Sequence, residues 1–182
     1  LLSTLDEEMH RLLRLINDLL DFSRYQNGLQ SLKLSSQTLE PLLRQAQQRF
    51  SAQAEELGVA ISTQLQAELP PLEIDPLQIE RVLDNLIGNA LRHSQPGGKV
   101  RLQASPQGAR VLISVEDNGE GIAHNRQARI FEPFVQFGQR RGGAGLGLAL
   151  CKEIVQLHGG HIGVRSQVGQ GAQVYLLLPV SP

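Results

Sequence analysis

Three short signatures in a fixed order constrain this chain more than any other feature: Asn85-Leu-Ile-Gly-Asn89, Asp117-Asn-Gly119-Glu-Gly121 and Gly143-Ala-Gly145-Leu-Gly147. The first lies within a helical pattern and the second closes a strand pattern. The third leads into another helical pattern. None of them carries a conclusion alone, so the reading rests on the ordered set.

The helical pattern around the first signature runs from Pro76 to His93. Asp75 is its predicted cap, with Pro76 at the first helical position. Val82, Leu83, Leu86, Ile87, Ala90 and Leu91 form its core-facing stripe. Asn85, Asn89, Arg92 and His93 recur every three or four residues on another face, so two amides and two potential cations project together. Two readings fit. One is an ordinary solvated face; the other is a partial oxygen set for magnesium, which keeps waters and phosphate oxygens in its shell. Asparagine is a middling helix former, so two of them within one helix ask for a reason.

Val111, Ile113 and Val115 alternate with Leu112, Ser114 and Glu116, and the two-residue period puts Asp117 on the Val111 face. A carboxylate aimed inward is costly without a donor. The exocyclic amino group of adenine is such a donor. An Asx turn through Asn118-Gly119 is an equally good account of Asp117. Gly119 and Gly121 permit close approach to a flat ligand and are also consistent with a plain loop.

The third signature leads into a helix containing Lys152. Free N–H groups at a helix start attract phosphate oxygens, and glycines let those oxygens come near. No Gly-Lys-Ser/Thr follows, which excludes a P-loop, and the Rossmann spacing is absent. Arg140 and Arg141 stand just ahead, either as phosphate contacts or as exposed loop arginines. Phe131 and Phe134, in Ile130-Phe-Glu-Pro-Phe134, either pin a lid over a ligand or anchor the core.

The remaining pattern alternates. Residues 3 to 27 read as a helix with Leu5, Met9, Leu12, Ile16, Leu19 and Ser23 in a heptad seam, widened by Leu13 and Leu20. No helix of matching length stands elsewhere, so this face is expected to meet another chain or a segment outside these residues. Strands are expected at Gln30–Leu34, Val59–Leu65, Lys99–Ala104, Arg110–Glu116, His161–Ser166 and Ala172–Leu178. Helices are expected at Leu39–Leu57, capped by Thr38, and at Gly145–Leu157. Helices interleaved with mostly antiparallel strands imply a two-layer α/β sandwich of the α+β class.

A chain of 182 residues holds one ordinary domain and an appendage, and a net charge of -1 argues against a diffuse basic face for nucleic acid. Cys151, the single cysteine, excludes an internal disulfide and reads as a buried, reduced thiol of a cytoplasmic protein. No apolar run approaches the ~20 residues of a membrane span. Opening on Leu1-Leu2 within a helical pattern, the chain is expected to be a fragment, with membrane anchoring of the parent left open.

Taken together, these residues resemble the catalytic, ATP-binding domain of bacterial sensor histidine kinases, whose fold is shared with DNA gyrase B and MutL. The resemblance covers roughly residues 38 to 180. Its boxes fall in order: Glu80 to Ser94, Asp117 to Gly121, Ile130 to Phe134, and Gly143 to Leu148 with the following helix. It implies ATP and Mg2+ as ligands, Asn89 as the metal ligand, and Asn85 as its phosphate-side neighbour. Arg92 and His93 match positions near the phosphates, with Asn85 and Arg92 acting in catalysis. Asp117 matches the adenine-binding aspartate, and Gly119 and Gly121 the shapers of the base pocket. Gly143, Gly145, Leu146 and Gly147 match the surroundings of the triphosphate, and Phe131 and Phe134 its lid side, with Arg140 or Arg141 as the substitute for the arginine that Gln136 replaces. In gyrase-type ATPases a water-activating glutamate stands where this chain has Asn85; an amide cannot serve as a general base, which fits a phosphotransferase.

Residues 1–28, with Leu15-Ile-Asn-Asp-Leu-Leu-Asp-Phe-Ser-Arg24, resemble the second helix of the family's dimerisation and phosphoacceptor hairpin, and residues 29–182 the catalytic domain. His10, in Glu-Met-His-Arg, does not match the phosphoacceptor box and reads as a surface histidine. Ala144 and Gln136 depart from the family pattern, where threonine and arginine are common. The implied partners are a phosphoacceptor helix of the same protein, a second copy in the intact parent, and a response-regulator receiver domain. A non-catalytic, nucleotide-gated interaction module of the same fold is the alternative function.

Overall fold

The computed structural model describes residues 2–66, 68–137 and 145–180. In chain order the elements are α1 (Leu2–Gln26), β1 (Ser35–Gln37), α2 (Leu39–Glu56), β2 (Ala60–Leu65), β3 (Leu72–Ile74) and α3 (Pro76–His93). There follow β4 (Lys99–Gln107), β5 (Arg110–Asp117), α4 (His124–Gln127), α5 (Gly147–Leu157), β6 (His161–Ser166) and β7 (Ala172–Pro179).

The period-two patterns build one five-stranded sheet in the order β2-β4-β5-β7-β6. Only the β2–β4 pair is parallel; the other three are antiparallel. A two-residue turn at Gly108-Ala109 joins β4 to β5. On one face Val100, Leu102, Ala104, Val111, Ile113, Val115, Leu176 and Leu178 are all buried. They pack with Leu43 of α2, Leu83 and Ile87 of α3, and Leu150 and Ile154 of α5 in a single core. The two-layer sandwich expected from the sequence is the observed architecture. Each fully buried Leu or Ile contributes about 1.5–3 kcal/mol by leaving water.

The helix that carries the two asparagines is fixed at both ends. Asp75 caps α3, its Oδ1 accepting the Gln78 N–H at 3.3 Å, and Pro76 occupies the first turn. The Asp75 N–H in turn donates to buried His158 Nε2 at 3.0 Å, while His158 Nδ1 meets the Ile154 carbonyl at 2.8 Å. These contacts set the neutral tautomer: Nδ1 donates and Nε2 accepts. Burial holds the His158 imidazole below its ordinary value, in agreement with that geometry.

One expectation needs correction. The strand expected at Gln30–Leu34 is absent; the strand is Ser35–Gln37, paired antiparallel with Leu72–Ile74. Backbone within the expected stretch serves the α3 cap instead, since the Lys33 N–H donates to Asp75 Oδ2 at 2.9 Å. Helix α1 packs within the chain through its other face. Arg81 of α3 holds Asp21 at 2.6 Å and Asp18 at 3.1 Å, and Gln26 bonds Glu153 of α5 at 2.8 Å. Tyr25 is buried in the core and donates to Gln78. Met9, Leu12, Leu13, Ile16, Leu19 and Leu20, from the expected seam, remain 45% to 58% exposed. The side chains of Leu5 and His10 lie outside the described residues.

Cys151 is fully buried, its Sγ 3.8 Å from the Val82 carbonyl, and burial pushes its thiol up to about 12. It is therefore held as an unreactive thiol at neutral pH. Among the described residues, no helix is long and apolar enough to cross a membrane.

Candidate functional site

A cleft of about 950 Å³ opens where α3, the end of β5, α4 and the first turn of α5 meet. That is near the upper end of the ~300–1,000 Å³ typical of small-molecule sites. One wall comes from α3. Its apolar stripe faces the core, which leaves Asn85, Asn89, Arg92 and His93 along the cleft.

These four side chains are already oriented. Asn85 Nδ2 donates to the Arg81 carbonyl at 3.1 Å, and Arg92 Nη1 donates to Asn89 Oδ1 at 3.1 Å. His93 Nδ1 lies 2.7 Å from Glu120 Oε1, tying α3 to the loop after β5. Sequence reasoning missed Glu120 as a site residue. Its position in Asp117-Asn-Gly119-Glu-Gly121 was visible, but its pairing with His93 needed the fold.

Asp117 ends the buried row Val111, Ile113, Val115 and lines the cleft, half-buried. The Asx turn and the inward-facing carboxylate are both present. Asp117 Oδ1 accepts the Gly119 N–H at 2.9 Å, so Gly119 works through its amide and does not line the cleft. Burial raises the Asp117 carboxyl above its ordinary range, while the N–H groups of Gly119 and Ala172 and the nearby His93 pull it back. Two backbone donors do not exhaust a carboxylate with about four acceptor directions.

Close approach explains two of the glycines. A Cβ on Gly121, at φ +71°, would lie 2.1 Å from the Gln167 carbonyl oxygen. A Cβ on Gly147 would lie 2.7 Å from Asn85 Oδ1. The helix start of α5 and the amide of α3 are therefore in contact across the cleft floor. Gly145 also lines the cleft, whereas Leu146 is buried beneath it and precedes the first turn of α5.

The aromatic pair expected on the lid side is placed elsewhere. Phe131 packs against the core, and Phe134 is 62% exposed with φ 64°. Neither lines the cleft; Val135, Gln136 and Phe137 do so instead, just beyond them in sequence. Arg140, Arg141 and Gly143 lie outside the described residues. Arg126 and, from α1, Leu15 and Asp18 also line the cleft. No short-range pattern singled these out, since each arrives through tertiary packing.

The profile of the family described as histidine kinase-, DNA gyrase B- and HSP90-like ATPase matches residues 74–182. This chain belongs to that family. Within it, the chain is 64% identical over 180 residues to the alginate biosynthesis sensor protein KinB of Pseudomonas aeruginosa, covering 99% of this chain and 30% of KinB. The solved structure of full-length ShkA in complex with AMPPNP aligns with a TM-score of 0.89 and 38% identity, over 97% of this chain and 37% of ShkA. The fold is also that of histidine kinase ThkA, solved in complex with the response regulator protein TrrA, with a TM-score of 0.79 and 23% identity over 98% of this chain and 50% of that one. The chain thus carries the catalytic ATP-binding domain of sensor histidine kinases, and spans about a third of the length of KinB and ShkA.

Proposed function

We propose that this chain holds Mg-ATP for transfer of the γ-phosphoryl group to a histidine, from which it passes to a response-regulator aspartate. One observation carries the reading: Asn85, Asn89, Asp117, Gly121, Gly145 and Gly147, from three separated signatures, line one cleft. Asp117 accepts from the adenine amino group, and the first turn of α5 offers backbone N–H groups to the phosphates. Arg92 and His93 offset charge on the triphosphate, and Asn85 positions it beside Gly147.

Magnesium suits these residues. Among the described residues no cluster of three or more His, Cys, Asp or Glu could hold a metal ion. A site completed by phosphate oxygens and water needs no such cluster, and Asn89 Oδ1 supplies a neutral, hard oxygen on the cleft wall. The metal would neutralise charge on the β- and γ-phosphates; everything else is positioning by this chain. With an amide at position 85 in place of a carboxylate, no side chain there draws a proton from water, so ATP is kept for the acceptor.

Residues 1–28 serve, in this reading, as the second helix of a dimerisation and phosphoacceptor hairpin, and residues 29–182 as the catalytic domain. The exposed stripe from Met9 to Leu20 would meet the rest of that hairpin and a second copy. The domain works on the cytoplasmic side, and its downstream partner is the receiver domain of a response regulator, the class of protein solved in complex with ThkA. The 182 residues contain no His-Glu/Asp-x-Arg box. Incubation with γ-labelled ATP is therefore expected to leave the chain unlabelled, and to give acid-labile label once a helix bearing that box is supplied. Label on this chain alone, or none with the helix, would count against the reading.

A further inference from the structure

Two arginines flank one aromatic ring at the edge of the cleft. The guanidinium of Arg126 lies 5.2 Å from the centroid of Phe137, and that of Arg129 lies 6.0 Å from it. Their remaining contacts differ. Arg129 Nε is bound to Glu132 Oε2 at 3.2 Å, and Arg129 does not line the cleft. Arg126 lines the cleft together with Phe137, and among the described residues its guanidinium makes no hydrogen bond or ion pair.

A guanidinium stacks through its face and donates through its edge. Seated over Phe137, Arg126 keeps its N–H donors at the cleft margin. Aromatic stacking also limits the rotamers of a long side chain, so less freedom is lost when those donors bind. Charge balance points the same way. The α3 wall brings Arg92 and His93, but the cleft also carries the carboxylates of Asp18, Asp117 and Glu120. A triphosphate entering there must be offset by cations beyond those of α3. Among the described residues that line the cleft, Arg126 is the cation contributed from outside α3.

We propose that Arg126, braced on Phe137, is a phosphate-contacting residue of the cleft that discriminates triphosphate from adenosine. The assignment rests on the nucleotide reading above. It also gives the chain a phosphate-side arginine where Gln136 departs from the family pattern.

Calorimetric titration of the 182-residue chain with adenosine, ADP and ATP in magnesium tests it, comparing wild type with Arg126→Ala, Arg126→Lys and Phe137→Leu. Arg126→Ala is expected to weaken ATP about tenfold, the scale of one charge-assisted hydrogen bond, with adenosine little changed. The ATP deficit should shrink as salt rises, and Arg126→Lys should recover part of it. Phe137→Leu should weaken ATP in the Arg126 background and add little to Arg126→Ala, because the ring acts through the guanidinium. Equal losses for adenosine and ATP, or no loss, would overturn the assignment and leave the nucleotide reading standing. If wild type binds none of the three ligands, the nucleotide reading falls as well.

Discussion

Gly147 and Asn85 touch: a Cβ on Gly147 would come within 2.7 Å of Asn85 Oδ1. Position 147 opens α5 without a positive φ, so its backbone accepts alanine, and the neighbour that must give way is the end of the Asn85 side chain. Gly147→Ala should therefore hold thermal stability while turning the Asn85 amide away from its place and weakening ATP. Stability held while binding falls is the expected result, read by a melting curve and a titration on one sample. Parallel losses of both would mean that the glycine matters for folding alone.

Asn89 Oδ1 accepts from Arg92 in the protein itself, 3.1 Å away. A magnesium ion would draw on the same oxygen. Asn89→Ala should cost about tenfold in ATP affinity with magnesium present and much less with EDTA. Equal losses under both conditions would argue against metal ligation.

The His158–Asp75 contact makes stability depend on pH. Burial lowers the folded-state affinity of His158 for a proton below its ordinary 6.5, so the unfolded chain binds the proton more readily. Stability is complete above that value and declines as pH falls below it, because the charged ring would face the Asp75 N–H with a second donor. Melting temperature should fall on mild acidification, and His158→Leu, though less stable at neutral pH, should show a shallower decline. The same slope in both proteins would remove His158 as the cause.

Much of this was legible in the sequence, for physical reasons that also mark its limits. Helix α3 was readable because Asp75, Pro76 and the Val82-to-Leu91 stripe each signal locally, and its predicted polar set Asn85, Asn89, Arg92 and His93 reaches one cleft. The β4–β5 hairpin followed from period-two alternation broken by Gly108. The β1–β3 ribbon was not readable, since three-residue strands carry too little period to detect and their pairing is long-range. In α1 the strongest apolar repeat is the exposed one, and the face that docks carries no comparable repeat. The face that docks is marked by Leu15, Asp18, Asp21 and Tyr25, and its anchors are largely polar. Phe131 and Phe134 drew attention as aromatics in a glycine-rich stretch, yet Phe137 is the one on the cleft.

Arg81 fastens α1 through two carboxylates at once, and Asp18 is also part of the cleft wall. Each such part-exposed pair is worth about 0.2–1 kcal/mol, so Arg81→Ala should destabilise the chain by roughly 1 kcal/mol. The larger effect should be local. Amide exchange in the second half of α1 should speed markedly, while β4 and β5 remain protected. Unchanged exchange in α1 would show that Tyr25 and Gln26 hold the helix without it.

The most direct measurement is the ATP-to-GTP preference of wild type and Asp117→Asn by calorimetry with magnesium. On the proposed reading, the carboxylate at position 117 would accept from the amino group of adenine, whereas guanine would present an oxygen there and be repelled. Wild type should bind ATP at one site and discriminate against GTP, and Asp117→Asn should lose most of that preference. No binding of ATP, or a preference indifferent to the substitution, would contradict the account.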